Sequence, residues 1–539
     1  MLTLLFLACA PTTPSSSVPV DATDTPSETA ETGTSPGCEG DDGGTADFTI
    51  QPYLQQVGPT EAWILWETVD GVGSRVDFGV DGLDTVACGE RVPTLPGGDP
   101  DDSLTQVHAT ALQGLSPDTV YQYQARTGES ASAVQHFRTA PLPDAEKGFH
   151  LVAMSDSQLD SRHPEVFGDL LRNGVMPVLE AEGDAAFVLF PGDLVDNGWL
   201  IDEWHDEFFG PGAELWGRSP VYPAIGNHEG ASPHYFRYFH LPEEDELHEH
   251  AWHQDHSNLR VVALDSNGFK EDEQLAWLDA QLADACTQPH LDFVFAQLHH
   301  PMQSELWTPG ESDFTTEVVG RLEAFTESCG KPSVHFFGHT HGYSRGQSPE
   351  HQHLMVNVAS AGGALDRWGE QPQVDYDAFS VSQDTYGFVT VHVEAGDAPS
   401  FRLTRYDRGT PEVPVDNIVS DQITVLRYNT PPEVPEPLPV TTSCPTTLAV
   451  AGFVDPDGHG HQASQWQVDA DCSFTEPLVD RWRQQRNEYG GVDLQAGDDL
   501  LDEVVEIEGA ACWRVRVRDA HLAWSPWSAP EQVDVPPCP

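Results

Sequence analysis

The sequence predicts a multidomain protein in which an α/β domain lies between two all-β sandwiches. Two observations predict this fold class: strand-length runs of aromatic and branched residues near both ends of the folded chain, and an alternation of apolar strands with helical patterns between them. The chain has 539 residues, of which 39% are apolar, so it can bury several hydrophobic cores.

The start of the chain carries a short apolar run, Leu2 to Ala8, directly before Cys9. A small residue before a cysteine is typical of a bacterial lipoprotein signal, although no Lys or Arg precedes this run. Residues 10–46 are rich in Pro, Ser, Thr and acids, which bury too little apolar surface to offset the entropy of ordering. We therefore expect a signal over residues 1–9, a disordered tether over 10–46, and a secreted or cell-envelope protein whose only membrane attachment is a lipid at Cys9.

The two predicted sandwiches flank the centre of the chain. Residues 47–140 contain AWILWETV and TVYQYQART, separated by Gly, Pro and Asp turns at the spacing of a small sandwich. Residues 441–539 follow a Pro-rich linker, 429–440, and contain the alternating run CWRVRVR and the motif WSPWS. That motif resembles fibronectin-type modules, in which tryptophans stack on arginines such as Arg514 and Arg516. We expect a fibronectin-like sandwich at each end.

Residues 148–428 show the sequence pattern of a layered α/β domain. Helical patterns cover Pro164–Glu182 and Glu271–Ala285, and short apolar strands separate them. Buried strands of this kind favour sheets that are covered on both faces.

The charge and the cysteines indicate the environment. The chain has 25 basic and 87 acidic residues, a formal net charge of −62, which disfavours binding of long nucleic acids. If Cys9 carries the lipid, eight of the nine cysteines remain, and none of them forms a CxxC pair. This predicts four disulfides in an oxidising compartment. We expect Cys38 to pair with Cys88 and Cys286 with Cys329, and the last four to pair among themselves.

Five strand-to-loop transitions in the α/β region present metal-ligand residue types. They are FHLVAMSDSQ with Asp156 and Gln158, AAFVLFPGDLVD with Asp193 and Asp196, VYPAIGNHE with Asn227, His228 and Glu229, LDFVFAQLHHP with His299 and His300, and SVHFFGHTH with His339 and His341. In open α/β sheets, groups at the carboxyl ends of adjacent strands converge on one crevice. A mixed oxygen and nitrogen donor set suits Fe, Mn or Zn, and its size suits two ions ~3.5 to 4 Å apart.

This series resembles the calcineurin-like metallophosphoesterases. The preceding sandwich, which begins with PYLQ, and the segments LRVVALDSN and GHTHGYSR resemble the purple acid phosphatase branch. The resemblance covers residues 48–428 and implies a four-layer α/β/β/α domain. It also implies that Asp193 bridges two metal ions, that Asp156 and His341 complete one site, and that Asn227, His299 and His339 complete the other. His299 is preferred to His300 because the family pattern is His-x-Pro.

The resemblance gives two further residues a role near the phosphate. His228 would stabilise or protonate the leaving oxygen, and Arg345 would either contact the phosphate or hold the loop. Two positions depart from the family. Asp196 stands where the purple enzymes have a tyrosine ligand, so no purple colour is expected, and Gln158 stands where many relatives have a histidine ligand, which predicts a weaker first site.

We therefore expect a phosphoesterase with two metal ions that hydrolyses small phosphate monoesters by attack of a metal-activated hydroxide. A phosphodiesterase or nucleotidase on the same scaffold, and a degenerate surface binding protein, remain alternatives; the oligomeric state is open. The segment DPDGHGH, Asp455–His461, has acids like those of a Ca²⁺ loop but lacks the bidentate acid, and we interpret it as a turn.

Overall fold

The computed structural model describes residues 38–39, 43–92, 105–242, 245–440 and 443–537. The predicted signal, Cys9 and most of the predicted tether lie outside the described residues. Among the helices that the structure describes, none is both long enough and apolar enough to cross a bilayer.

The N-terminal region forms two antiparallel sheets. Its strands are β1 (Asp47–Gln55), β2 (Glu61–Val69), β3 (Arg75–Gly79), β4 (Thr85–Cys88), β5 (Glu90–Arg91), β6 (Thr105–Gln113), β7 (Val120–Thr127), β8 (Ser130–Ala131) and β9 (Gln135–Arg138). One sheet has the order β1-β2-β6-β5, and the other has β4-β3-β7-β8 with β9 also on β7. Alternate residues of β7, including Tyr121 and Tyr123, are buried in one cluster with Trp66 of β2, so both sheets contribute to a shared core.

Two larger sheets make up the central region. Their strands are β10 (Phe149–Ala153), β11 (Val188–Phe190), β12 (Val221–Pro223), β13 (Trp252–His256), β14 (Leu259–Ala263), β15 (Phe293–Gln297), β16 (Ser333–Phe337), β17 (Tyr343–Gln347), β18 (His353–Asn357), β19 (Phe379–Gln383), β20 (Tyr386–Glu394), β21 (Ser400–Gly409) and β22 (Pro414–Leu426). The six-stranded sheet has the order β12-β11-β10-β20-β21-β22. The nine-stranded sheet runs β13-β14-β15-β16-β18-β17-β19 and ends in two short strands from the C-terminal region.

The helices lie between the strands of this region. They are α1 (Val166–Asp169), α2 (Met176–Glu182), α3 (Ile201–Glu203), α4 (Gly210–Trp216), α5 (Pro233–Tyr238), α6 (Glu271–Thr287) and α7 (Asp313–Cys329), with π-helical stretches at Leu170–Val175 and Trp204–Phe209 and 3₁₀ turns at Asp245–Leu247 and Thr308–Gly310. The helical pattern predicted for Pro164–Glu182 is therefore present, with a wider central turn. Pro177 lies just after this turn, and its ring would clash with a carbonyl of a regular helix.

Side chains of the nine-stranded sheet pack on both of its faces. Val262 and Val294 share a core cluster with residues of α6 and α7, such as Leu278. The neighbouring Val261 and Phe295 belong to the core that contains the six-stranded sheet. This alternation explains why the strands read as continuous apolar runs.

The C-terminal region adds β23 (Thr446–Ala449), β24 (His461–Asp469), β25 (Val479–Gln484), β26 (Glu488–Tyr489), β27 (Val492–Asp493), β28 (Asp502–Val505), β29 (Gly509–Asp519) and β30 (Glu531–Val535). Strand β23 pairs with β28, a second sheet has the order β25-β24-β29-β30, and β26 and β27 are the short strands that extend the nine-stranded sheet. Arg514 lies 4.2 Å from the ring centre of Trp527, and Arg516 lies 4.4 Å from that of Trp524, as the WSPWS motif predicts.

Disulfides join residues that are distant in sequence. The predicted pairs Cys38–Cys88 and Cys286–Cys329 are confirmed, and Cys472 pairs with Cys512. Cys444 is also disulfide-bonded, whereas Cys538 lies outside the described residues. These bonds indicate an oxidising compartment.

Two buried histidines pair across β16 and β18. His335 Nδ1 lies 3.0 Å from His353 Nε2, and His353 Nδ1 lies 2.8 Å from Ser333 Oγ. Burial lowers the pKa of His335 to about 3, and burial together with charge on His335 lowers the pKa of His353 well below its ordinary value. Both rings are therefore neutral in the folded protein, whereas in the unfolded chain they take up protons below about pH 6.5.

We expect the free energy of unfolding to fall as the pH drops below about 6.5, because only the unfolded state then binds these protons. At pH 5, His335 alone accounts for a loss of roughly 2 kcal/mol relative to pH 7.5. His335→Gln, which cannot titrate, should reduce this loss, whereas His248→Gln at an exposed position should not. Urea unfolding at both pH values measures the effect, and an equal pH dependence in all three proteins would contradict it.

Candidate metal centre

The candidate ligands follow the carboxyl ends of parallel strands. Strands β10, β11 and β12 run parallel to one another, and so do β14, β15, β16 and β18. Asp156 follows β10, Asp193 follows β11, Asn227 follows β12, His299 follows β15, and His339 follows β16. Because parallel strands end at the same edge of a sheet, the five loops meet.

Three of these residues have left-handed backbone conformations. The φ angle is +61° at Asp156, +52° at Asp193 and +69° at His339. Residues other than glycine rarely adopt this conformation because it is strained, and strained residues are concentrated at functional sites. Here it turns each side chain out of its strand and into the crevice.

Glycines allow the loops to approach closely. A Cβ atom on Gly226 would lie 2.2 Å from Asp193 Oδ1, and one on Gly338 would lie 2.3 Å from Asp156 Oδ2. Both distances are far below a van der Waals contact, so any side chain at either position would displace a carboxylate. This is the physical reason for the glycine before each motif.

The side chains form two ligand groups that share one carboxylate. One group is Asp193, His299 and His339, the other is Asp156, Asp193 and His341, and within each group the ligand atoms lie within 4.8 Å of one another. Asn227 Oδ1 lies 3.0 Å from His299 Nε2, which places it beside the first group. Asp193 is the residue that the two groups have in common.

Backbone carbonyls orient two of the imidazoles. His299 Nδ1 lies 2.9 Å from Pro191 O, and His341 Nδ1 lies 2.7 Å from Ala364 O, so each Nδ1 donates to a carbonyl. The Nε2 atom of His299 then lies 3.1 Å from Asp193 Oδ2, and that of His341 lies 3.2 Å from Asp156 Oδ1. A ligand whose second nitrogen is fixed in this way presents its lone pair in one direction.

The electrostatics of the centre favour positive charge. Burial lowers the pKa of His299, but the neighbouring Asp193 carboxylate outweighs it and raises the pKa to about 9. Burial also lowers the pKa of His341, but the Asp156 carboxylate outweighs it and raises that pKa to about 9. The pKa of Asp193 is well below its ordinary range because the charge of His299 outweighs burial. Buried carboxylates beside imidazoles are a donor set that fits divalent Fe, Mn or Zn.

Gln158 lies beside the ligand group of Asp156, Asp193 and His341. In one of its two orientations, the Gln158 amide forms hydrogen bonds through both its nitrogen and its oxygen. Its nitrogen then lies 3.2 Å from Asp156 O and from Asp193 O, and its oxygen lies 3.0 Å from His341 Nε2. The backbone thus fixes the amide so that its oxygen faces the ligand nitrogen of His341. An amide oxygen in this place is a neutral and weaker donor than imidazole.

His228 lies at the edge of the centre. Its Nδ1 lies 2.5 Å from Asp196 O, and its Nε2 lies 3.8 Å from Asp193 Oδ2. Burial opposes protonation of His228, but the charge of Asp193 outweighs burial and raises the pKa of the ring. The Asp196 side chain itself is 60% exposed.

Arg345 is buried in an ion pair. Its Nε donates to Asp421 Oδ2 at 2.5 Å and its Nη2 donates to Oδ1 at 3.0 Å, while the Tyr343 hydroxyl donates to Oδ2 at 2.7 Å. Of the two roles considered for Arg345, these contacts support holding the loop that follows His341.

Glu229 has a role that its sequence position did not reveal. The sequence groups it with the ligand types of GNHE, but its buried carboxylate accepts hydrogen bonds from the backbone of Asp193 at 2.9 Å, of Leu194 at 2.8 Å and of Gly226 at 2.9 Å. Burial, followed by the charge of Asp193, raises the pKa of Glu229 to about 7. It therefore positions two ligand loops against each other.

Asp366 is a second positioning residue, and it lies outside every motif. One of its carboxylate oxygens accepts a hydrogen bond from the His341 backbone at 2.8 Å. No local pattern marks it, because the contact joins residues that are 25 positions apart.

A family model described as calcineurin-like phosphoesterase matches residues 150–343. Among solved structures, the chain is similar to a purple acid phosphatase from yellow lupin (Lupinus luteus) seeds, with 17% identity and a TM-score of 0.54 over 70% of this chain and 74% of that chain. It is also similar to PhoD, with 13% identity and a TM-score of 0.52 over 70% of this chain and 90% of that chain. A search of curated proteins finds no match. At these identities the two structures establish a shared fold.

Metal binding should release protons. Because His299 and His341 have pKa values of about 9 in the metal-free protein, both carry a proton at pH 7 that a metal ion must displace. The apparent metal affinity should therefore rise with pH up to about 9, with about two protons released per loaded centre at pH 7. Titration calorimetry in buffers of different ionisation enthalpy measures this number. His341→Ala should release about one proton fewer, and binding without proton release would contradict the assignment.

The role of Arg345 can be tested by a double-mutant cycle. Asp421→Leu should cost about 3 to 5 kcal/mol of folding stability, because it leaves a buried guanidinium unpaired. If Arg345 holds the loop, Arg345→Met combined with Asp421→Leu should cost less than the sum of the single changes, and the KM of the double variant should approach that of the wild type. A KM increase shared by every variant that lacks Arg345 would instead indicate direct contact with the phosphate.

Proposed function

Since a calcineurin-like phosphoesterase model matches residues 150–343, we propose that the chain is a metal-dependent phosphoesterase that hydrolyses small phosphate monoesters at a centre of two metal ions. The observation that carries this proposal is the position of Asp193 in both ligand groups. A carboxylate has two oxygens, so it can serve one ion with each.

The ligand assignments that we propose follow the two groups. Asp193 joins the two sites, Asp156 and His341 complete one, and Asn227, His299 and His339 complete the other. Gln158 faces the site of Asp156 and His341 through its amide oxygen. When bound, divalent ions lower the pKa of water toward neutrality and withdraw charge from phosphoryl oxygens. Iron, manganese and zinc all fit this donor set.

His228 is the residue that we propose as proton donor to the leaving oxygen. Because its Nδ1 donates to Asp196 O, any proton that it transfers must come from Nε2, which is the nitrogen that faces the centre. The charge of Asp193 outweighs burial and raises the pKa of His228, which favours the protonated ring. A positioned acid of this kind typically contributes about 10²- to 10⁴-fold to the rate.

We also propose the domain organisation that surrounds this centre. A four-layer α/β/β/α domain over residues 148–428 would lie between fibronectin-like sandwiches at 47–140 and 441–539. The disulfides support secretion, and a lipid on Cys9 would add membrane attachment. This arrangement is supported by the sheets described above and by the stacking of Arg514 and Arg516 on tryptophans.

Hydrolysis of p-nitrophenyl phosphate and of its bis ester, with metal content determined on the same sample, tests the proposal. At least two ions per chain with preferential monoester turnover would support it. Preference for the bis ester would replace it with the phosphodiesterase alternative. Absence of turnover after supply of Mn²⁺, Fe²⁺ or Zn²⁺ would contradict an enzymatic role and favour a binding protein.

The neighbouring histidines 299 and 300 provide a matched pair of variants. His299→Ala should lose both turnover and bound metal, because its Nε2 faces Asp193 and Asn227. His300→Ala should retain the metal, because the Nδ1 of His300 lies 2.8 Å from Ser266 Oγ and the ring belongs to neither ligand group. Metal analysis after dialysis distinguishes the two, and the reverse pattern would show that His300 is the ligand.

His339→Ala and His341→Ala should each abolish turnover, because each removes an imidazole from one of the two ligand groups. The N-terminal and C-terminal sheets should remain folded, since neither histidine belongs to their cores. Circular dichroism and limited proteolysis check the fold, and substantial turnover by either variant would contradict the ligand assignment.

A further inference from the structure

A second set of metal-ligand residues lies in the C-terminal region. Asp455, Asp457 and His459, in the loop before β24, bring one ligand atom each within 4.8 Å of one another. Asp519, at the end of β29, joins them, because its Oδ2 lies 3.6 Å from His459 Nδ1. We call these four residues the C-terminal cluster. None of them belongs to the centre around Asp193.

The cluster contains two buried carboxylates. The side chains of Asp455 and Asp519 are 1% and 0% exposed. Within the described ranges, the ion-pair partner of both carboxylates is the imidazole of His459, and neither pairs with a lysine or an arginine. Asp519 also accepts hydrogen bonds from the Asn429 amide at 2.8 Å and from the backbone of His521 at 2.9 Å and of Ala523 at 3.0 Å. A buried carboxylate oxygen without such partners is costly unless a cation lies beside it.

Two ligand atoms lack hydrogen-bond partners. Asp455 Oδ1 accepts from the backbone of Asp457 at 2.9 Å and of His459 at 3.0 Å, and these bonds account for the turn that the sequence predicts. The turn does not account for Asp455 Oδ2 or His459 Nδ1, which are buried and without a hydrogen-bond partner among the described residues. A buried acceptor left unsatisfied destabilises the folded state.

The distances fit ligands around an ion better than they fit hydrogen bonds. His459 Nδ1 lies 3.6 Å from Asp455 Oδ1 and 3.6 Å from Asp519 Oδ2, too far for a direct hydrogen bond. Two ligand atoms bound tetrahedrally at about 2.1 Å from one ion are roughly 3.4 Å apart. We propose that the C-terminal cluster binds one divalent transition-metal cation of the Zn²⁺ class. The imidazole favours such an ion over Ca²⁺, which takes oxygen ligands.

The location of the cluster gives this ion a structural role. Asn429, just after the central sheets, donates to Asp519 Oδ2 at 2.8 Å. His521, whose ring centre lies 4.3 Å from that of His459, has its Nδ1 2.7 Å from Thr424 O of β22. An ion held by Asp519 and His459 would therefore fasten the C-terminal sheet to the last strand of the central region.

Metal analysis of three full-length proteins tests the site. Wild type, His459→Gln and the control His461→Gln are equilibrated with Zn²⁺ at pH 7.5, dialysed and analysed. The control is matched because His461 lies two residues away, at the start of β24, and belongs to no ligand group among the described residues. We expect His459→Gln to bind one zinc fewer per chain than wild type and His461→Gln. Equal zinc contents in all three would overturn the proposal.

A second measurement does not depend on the folding of a variant. Crystals of the unmodified protein grown with Zn²⁺ should show an anomalous peak beside His459 Nδ1 and the Asp455 carboxylate, in addition to any peak near Asp193. Anomalous density confined to the centre around Asp193 would overturn the proposal. Because the two locations are separate, failure of this site leaves the proposed phosphoesterase centre unaffected, and the converse also holds.

Discussion

The buried carboxylate of Asp193 is the feature on which the rest of the centre depends. Its left-handed backbone turns it into the crevice, and Gly226 leaves the space that its oxygen occupies. Glu229 holds the backbone of this loop against the neighbouring one through hydrogen bonds to Asp193 and Gly226. A buried carboxylate is stable in its charged form only beside positive charge. Protonated His299 supplies this charge, and a metal ion would supply more.

The centre also reconciles an acidic protein with an anionic substrate. A chain with a formal net charge of −62 repels phosphate at long range, so attraction must be created locally. Bound cations are the largest charges in such a site and reverse the local field. The raised pKa values of His299 and His341, produced by Asp193 and Asp156 against the effect of burial, show that the protein field at these two rings already favours positive charge.

Local sequence pattern predicted the ligands that follow strand ends. It missed the contacts between residues that are distant in sequence. Asp156, Asp193 and His339 follow recognisable apolar strands, so their convergence follows from parallel topology. The partner of Arg345 is Asp421, 76 positions away, and no periodicity encodes that contact. In the same way, strands β26 and β27 extend the nine-stranded sheet from a segment that the sequence places in the C-terminal sandwich. The Asp455 loop reads locally as a turn, and only folding brings Asp519 to it.

The proposed sharing of Asp193 by two ions is tested most directly by electron paramagnetic resonance of the protein loaded with Mn²⁺. The His459→Gln background is used so that the C-terminal cluster adds no ion. Ions bridged by one carboxylate and about 3.5 to 4 Å apart should give an exchange-coupled spectrum. Asp193→Asn should weaken this coupling. A spectrum that shows only the hyperfine pattern of isolated Mn²⁺ at full metal loading would contradict a bridged pair.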